Sequence, residues 1–188
     1  KMTRSYSLNP AQQKALAVMA GPQRHTLIVG GSRSGKTWLV CRAVLVRAIR
    51  GPESRHVILR KNYNATKTSI GADTLPKVMR MVSPEVKWQY LKQDGYFQHT
   101  KNGSEIWLGG LDDQERVEKI LGKEYATLYC NESSQIAYSS ILVARTRLAQ
   151  VVKWEDKDGQ EHTLQQGAYY DLNPTGTGHW TYKQFIEK

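Results

Sequence analysis

The chain has 188 residues, 39% of them hydrophobic and 23% charged; it is long enough to bury a sizeable core without disulfides or a structural metal, and too apolar to stay disordered. No apolar stretch approaches the roughly 20 residues of a membrane span and no secretory leader follows the first four residues, so an intracellular protein is expected. The net charge of +10 is concentrated at one end, with 15 Lys and Arg against 2 Asp and Glu in residues 1–80 and 12 against 15 in residues 81–188.

Asn9 is placed to cap a helix that has Pro10 at its first position and good helix formers over 11–20, closed by Gly21-Pro22. Residues 26–29 are a short apolar run ending in glycines, the pattern of a buried strand. A helix is expected over 36–49, stopped by Gly51-Pro52, then a strand over 56–59 and a helix over 73–81. Residues 96–100 and 105–108 flank Lys101-Asn102-Gly103-Ser104, and Asn-Gly between alternating runs marks a hairpin. Another buried strand follows at 126–130. A second hairpin turns at Asp158-Gly159 between 151–155 and 161–164, a last strand covers 168–172, and 180–187 read as helix.

Alternation of strand and helix predicts an α/β domain with a largely parallel sheet. No repeat, low-complexity tract or linker divides it, so one domain is expected. Cys41 and Cys130 sit in apolar runs as two buried free thiols, and no histidine stands at ligand spacing from a cysteine. Trp88, Tyr90, Trp107 and Trp154 read as core or cross-strand pairs rather than base-stacking platforms. The basic half predicts a polyanionic partner, nucleic acid before membrane; a merely soluble basic surface is the alternative, and charge alone does not separate them.

Two motifs carry chemistry. Gly30-Gly31-Ser32-Arg33-Ser34-Gly35-Lys36-Thr37 fits G-x-x-x-x-G-K-[ST] between an expected strand and an expected helix, which is the context that motif requires. Its glycines let successive N–H groups face one concavity and hold phosphate at the positive end of the helix. Lys36 is then expected to bridge the β- and γ-phosphates of ATP, and the Thr37 hydroxyl to ligate Mg²⁺. Arg33 either reaches the γ-phosphate as a finger in cis or faces solvent. The second motif is Ala126-Thr127-Leu128-Tyr129-Cys130-Asn131-Glu132, a buried strand that ends in polar groups. Glu132 is placed to orient and deprotonate an attacking water. Asn131 stands where an aspartate usually supports the Mg²⁺ shell; it keeps an oxygen acceptor but lacks the charge, so metal binding and hydrolysis are expected to be weakened.

Together these motifs resemble the ATPase domain of the large terminase subunit of tailed double-stranded DNA bacteriophages, the motor that packages viral DNA. Leu8-Asn9-Pro10-Ala11-Gln12 is similar to that family's glutamine motif, in which Gln12 would read the adenine edge. Val57-Ile58-Leu59-Arg60 resembles its next strand, and residues 103–113 its hairpin and following loop. Asp171-Leu172-Asn173-Pro174 with His179-Trp180 resembles its coupling motif, in which Asn173 would sense the γ-phosphate.

The resemblance implies a P-loop NTPase of the ASCE/RecA-like type, a three-layer sandwich, with an N-terminal glutamine-motif helix at 5–21 and a core at 25–188. It implies ATP and Mg²⁺ as cofactors, double-stranded DNA as the translocated partner, and a homo-oligomeric ring docked through the portal protein with the small terminase subunit, in the host cytoplasm. Arg116, expected in a loop, either acts in trans on a neighbour's nucleotide, with Arg145 and Arg147 as rivals, or is an ordinary surface arginine, a reading open for each of the three. The nuclease domain that usually follows has no acidic cluster to represent it in these residues. A helicase or recombinase-like ATPase shares the glutamine motif, the phosphate loop and the carboxylate strand, and is the alternative.

Overall fold

In the computed structural model, which describes residues 7–112 and 114–187 (of 114–116 the backbone only), seven strands pair into one sheet. Their order is β1 (His25–Val29), β9 (Gly167–Leu172), β6 (Thr127–Cys130), β2 (Arg55–Arg60), β5 (Glu105–Gly110), β4 (Tyr96–His99) and β3 (Trp88–Leu91). The first five run parallel, and β4 with β3 adds an antiparallel hairpin at one edge. Parallel strands are covered on both faces, so alternate side chains enter two apolar layers instead of core and solvent. On one face Ile58, Ile106, Leu108, Tyr129 and Tyr169 share a core with Met19 of α1 (Pro10–Met19), Leu39 to Ala48 of α2 (Lys36–Arg50) and Val78 of α4 (Leu75–Val82). On the other, Val57, Leu59, Leu128, Cys130 and Tyr170 meet Ile120 of α5 (Gln114–Leu121), Ile141 of α6 (Tyr138–Arg145) and Phe185 of α7 (Trp180–Phe185). The three-layer sandwich is as expected. A separate ribbon of β7 (Val152–Glu155) and β8 (Glu161–Leu164) turns near Gly159, as its Asp-Gly predicted.

Local chemistry sets the first helix. The Asn9 side chain accepts the Gln12 N–H (2.9 Å) and the Gln12 side chain accepts the Asn9 N–H (3.1 Å), a reciprocal cap that satisfies two otherwise unpaired donors. The helix expected over 73–81 begins far earlier. It starts with α3 (Tyr63–Ala65), continues through a π-helical segment, Thr66–Thr74, and ends as α4. The hydroxyls and Gly71 make 64–71 look like a loop, but the hydroxyls find partners on the helix and sheet: Thr66 donates to the Gly109 carbonyl (2.8 Å) and Ser69 to that of Ala65 (2.6 Å). Gly110 permits this docking, since a Cβ there would lie 2.3 Å from the Tyr63 nitrogen.

Three further elements, β3, α5 and α6, were not anticipated from the sequence. Position 116 falls in α5, a helix rather than a loop, and the Arg116 side chain lies outside the described residues, as do positions 5 and 6 and Asp113. The aromatics pair as expected: Tyr90 stacks on Phe97 and Tyr96 on Trp107 across the hairpin strands, Trp88 meets His99 edge-on, and Trp154 stacks on His162. No helix among the described residues is long and apolar enough to cross a membrane.

One buried titratable group bears on stability. His56 is fully buried on β2, with Nδ1 2.6 Å from Thr127 Oγ1 and Nε2 2.7 Å from Ser54 Oγ. Burial, aided by the Arg47 charge, holds its pKa well below the ordinary imidazole value. A depressed histidine stabilises the fold fully above its unfolded pKa of about 6.5, and that contribution is lost as pH falls, by up to about 1.4 kcal/mol per pH unit. His25 adds to the same trend, its pKa lowered to about 4 chiefly by burial. Urea unfolding at pH 7, 6 and 5 is therefore expected to show stability falling with acid, and falling less steeply in His56→Gln; equal slopes would show that His56 is not held neutral.

Candidate active site

The carboxyl ends of four adjacent parallel strands, β1, β9, β6 and β2, meet at one edge of the sheet. Ligands of open α/β sheets bind at such strand ends. After β1 the chain enters the loop Gly30 to Gly35 and then α2, whose first residue is Lys36. Arg33 (φ 62°) and Gly35 (φ 81°) both take left-handed backbone, which folds the loop back on itself before the helix. The left-handed backbone of Gly35 is what favours glycine there; a Cβ would lie 2.9 Å from Gln12 Nε2, the end of a side chain that could move aside. Nothing stands within 4 Å of a Cβ built on Gly31, so the concavity is open on that side.

Lys36 crosses this concavity. Its Nζ donates to the carbonyls of Gly30 (2.7 Å) and Gly31 (2.8 Å), to Ser34 Oγ (3.3 Å) and to Asn173 Oδ1 (3.1 Å) at the end of β9. The structure thus joins Lys36 to Asn173, 137 positions apart. Ser32 and Arg33 are exposed, and Gln12 lies against the loop with its acceptor oxygen engaged by Asn9.

Beside the loop lies a buried polar cluster. Asn131 Nδ2 is 3.2 Å from Thr37 Oγ1, 2.9 Å from Tyr129 OH, and 3.0 and 3.1 Å from the two carboxylate oxygens of Asp171. The Glu132 N–H donates to Asp171 Oδ1 (2.9 Å). Burial pushes the Asp171 carboxyl above its usual range, opposed by the Glu132 N–H, the Asn131 amide and the Lys36 charge. Of the three residues expected from sequence to serve a metal, Thr37 and Asn131 are in contact, while the Glu132 carboxylate is turned to Arg60. The donor set of Thr37, Asn131 and Glu132, a hydroxyl, an amide and a carboxylate, is hard oxygen chemistry that fits Mg²⁺ rather than a softer metal.

Glu132 itself takes left-handed backbone (φ 53°), a conformation uncommon for a side chain of its size, two residues after the end of β6. Its carboxylate forms an ion pair with Arg60 from the end of β2, and Gln135 Nε2 donates to it (3.2 Å). Arg145 is engaged inside its own subunit, donating to Tyr170 OH (2.8 Å) and lying over the Tyr170 and Tyr138 rings. Arg147 lines an apolar pocket with Leu59, Tyr125 and Leu148. Cys41 and Cys130 are free and buried, and burial pushes both thiols up, Cys130 to about 12.

Sequence reasoning missed two site residues, Arg60 and the buried role of Asp171. The available signals were an arginine closing an apolar strand at 57–60 and an acid inside the apolar strand 168–172.

Residues 22–188 match the family described as phage terminase large subunit. Among curated proteins no match is found. Of solved structures, the large terminase of a thermophilic bacteriophage is similar at 20% identity with a TM-score of 0.78, over 97% of this chain and 43% of that one. A structure of the same phage's large terminase in complex with ATP-gamma-S is similar at 19% identity and a TM-score of 0.70, over 95% and 41%. The ATPase domain of the Thermus phage P74-26 large terminase follows at 16% identity and a TM-score of 0.65, over 95% and 69%. At such identities the likeness speaks for the fold alone, and the chain spans less than half the length of the thermophilic phage's protein. The sequence match spans the phosphate loop, the Asn131–Glu132 strand end and the Asp171–Asn173 strand end that build the site, and the chain belongs to the phage terminase large subunit family.

Proposed function

We propose that this chain is the ATP-hydrolysing motor domain of a viral DNA-packaging terminase, working in the host cytoplasm as a ring docked on the procapsid. Double-stranded DNA, the portal protein and the small terminase subunit are the partners this reading brings. The observation that carries it is the convergence of Lys36 and Thr37, Asn131 and Glu132, Asn173 and Arg60 at the ends of four neighbouring strands.

Loop N–H groups and Lys36 bind the phosphates. An anionic phosphate oxygen makes a stronger hydrogen bond to an ammonium than a neutral carbonyl does, so phosphate displaces the Gly30 and Gly31 carbonyls and Asn173 from Lys36. Thr37 and Asn131 would hold Mg²⁺, with Glu132 beside them, and the ion when bound neutralises developing charge on the β- and γ-oxygens. Glu132 accepts the proton of the attacking water, which requires its carboxylate to exchange Arg60 for that water. Arg33, exposed on the loop, is the cation this reading brings over the γ-phosphate.

Lys36→Ala removes the one side-chain cation of the loop floor; calorimetry with ATP is expected to show affinity reduced at least tenfold, and unchanged affinity would refute the phosphate-loop assignment. Glu132→Gln keeps the shape and loses the base; turnover is expected to fall by about 10²- to 10⁴-fold while ATP affinity stays within about threefold. Duplex DNA is expected to bind without sequence preference and with an affinity that falls steeply with salt, log Kd changing by about 0.9 per log unit of salt for each phosphate neutralised. Salt-independent binding, or none at low ionic strength, counts against the motor.

A further inference from the structure

Asp171 is the one Asp or Glu among the described residues that is buried, at 2% exposure. Burying a carboxylate is costly unless charge or hydrogen bonds compensate. A strand position in this core asks only for an apolar residue or a small neutral polar one, so a carboxylate here needs a reason. It sits on β9, the strand between the phosphate-loop strand β1 and the Asn131 strand β6. The pairings Tyr129 with Tyr169 and Cys130 with Tyr170 carry the register up to Asn131 beside Asp171. Both carboxylate oxygens face the Asn131 amide, and that amide in turn touches Thr37 Oγ1.

The sequence alone leaves the site one charge short, because Asn131 stands on the carboxylate strand where an aspartate is expected. The structure finds a carboxylate one strand away, in contact with that same asparagine.

We propose that amide and carboxylate have changed places between β6 and β9: Asp171 carries the negative charge that Mg²⁺ binding needs, and acts on the site through Asn131, whose amide nitrogen it holds and whose side chain it thereby fixes beside Thr37. Asp171 is a positioning residue, and the inference rests on the Mg²⁺–ATP reading of the site. It also alters the expectation for Asn131. Installing aspartate there supplies no missing charge; it sets a second carboxylate about 3 Å from the first, where like charges repel.

The test is to titrate a fluorescent ATP analogue, with Mg²⁺ and with EDTA, into the parent, Asp171→Asn, Asn131→Asp and the double exchange Asn131→Asp/Asp171→Asn, with direct Mn²⁺ binding by electron paramagnetic resonance and thermal melts alongside. In EDTA the parent, Asp171→Asn and the exchange are expected to agree within about threefold. The gain in affinity on adding Mg²⁺ is expected to fall about tenfold in Asp171→Asn, the usual scale for a lost outer partner of a metal ligand, and to return in the exchange. Asn131→Asp alone is expected to melt lower than the parent with no added Mg²⁺ gain. A residue that merely braces the Glu132 backbone would leave the Mg²⁺ gain intact in Asp171→Asn, and that result overturns the proposal. So does a folded double exchange that fails to recover the gain, which decides the matter even if Asp171→Asn does not fold. A parent that binds no nucleotide in either condition overturns the ATP reading itself, and is seen before any variant is compared.

Discussion

In a parallel sheet every second side chain enters the same layer, and the hydrogen-bond register decides which side chains of neighbouring strands meet. Here register stacks Tyr129 and Asn131 of the β6 strand against Tyr169 and Asp171 of β9, all on the face covered by α2. The helix covering that face is the one that begins with Lys36 and Thr37. Phosphate loop, amide and carboxylate are therefore brought together by strand pairing rather than by loops of adjustable shape. A slip of one residue would send Asp171 into the opposite layer, among Ile141 and Phe185 and away from the Asn131 amide and the Glu132 N–H that it meets here.

The same pairing holds the backbone strain of the site. Among the described residues three non-glycine positions take left-handed backbone, and two of them, Arg33 and Glu132, are in this site. Each such conformation costs on the order of 1 kcal/mol or more and persists only where surrounding contacts enforce it. For Glu132 the enforcement is visible: its N–H is bound by Asp171 and its carbonyl accepts the Gln135 N–H at 2.9 Å. The strained turn points the side chain toward β2, where Arg60 receives it.

Much of this was legible in the sequence, for reasons that are local. The glycines and Lys36 of the phosphate loop, the Asn9 cap, the Asn-Gly hairpin and the apolar strands announce themselves within a few residues. The long helix from 63 did not, because Thr66, Ser69 and Gly71 favour loops by local propensity and are overridden by contacts with Gly109 and with Arg60, which donates to Ser69 at 2.7 Å. Helix α6 lacks a side-chain cap, the usual marker of a start. Arg60 and Asp171 were illegible for a different reason. Each acquires its role only from a partner on a neighbouring strand, Glu132 at 72 positions' remove and Asn131 at 40, and no spacing rule reaches that far without the register.

Glu132, two residues past β6, and Asn173, the residue after β9, are held by polar partners that the proposed reading has a nucleotide and its water displace. The segments that leave them converge again a short distance on. Beyond Glu132 the chain makes a single 3₁₀ turn, Ser133–Gln135, and reaches Ile136, whose carbonyl accepts the Trp180 indole N–H at 3.1 Å. Beyond Asn173 it crosses an exposed stretch and enters α7 at that same Trp180, with the His179 side chain as the helix cap. Trp180 also stacks on Tyr138 of α6 and packs edge-on to Tyr170, next to Asp171. Close-packed aromatic contacts of this kind shift as units rather than deform gradually. Trp180 thus ties together, in the layer opposite α2, the two segments that leave the strand ends, and joins both to α6.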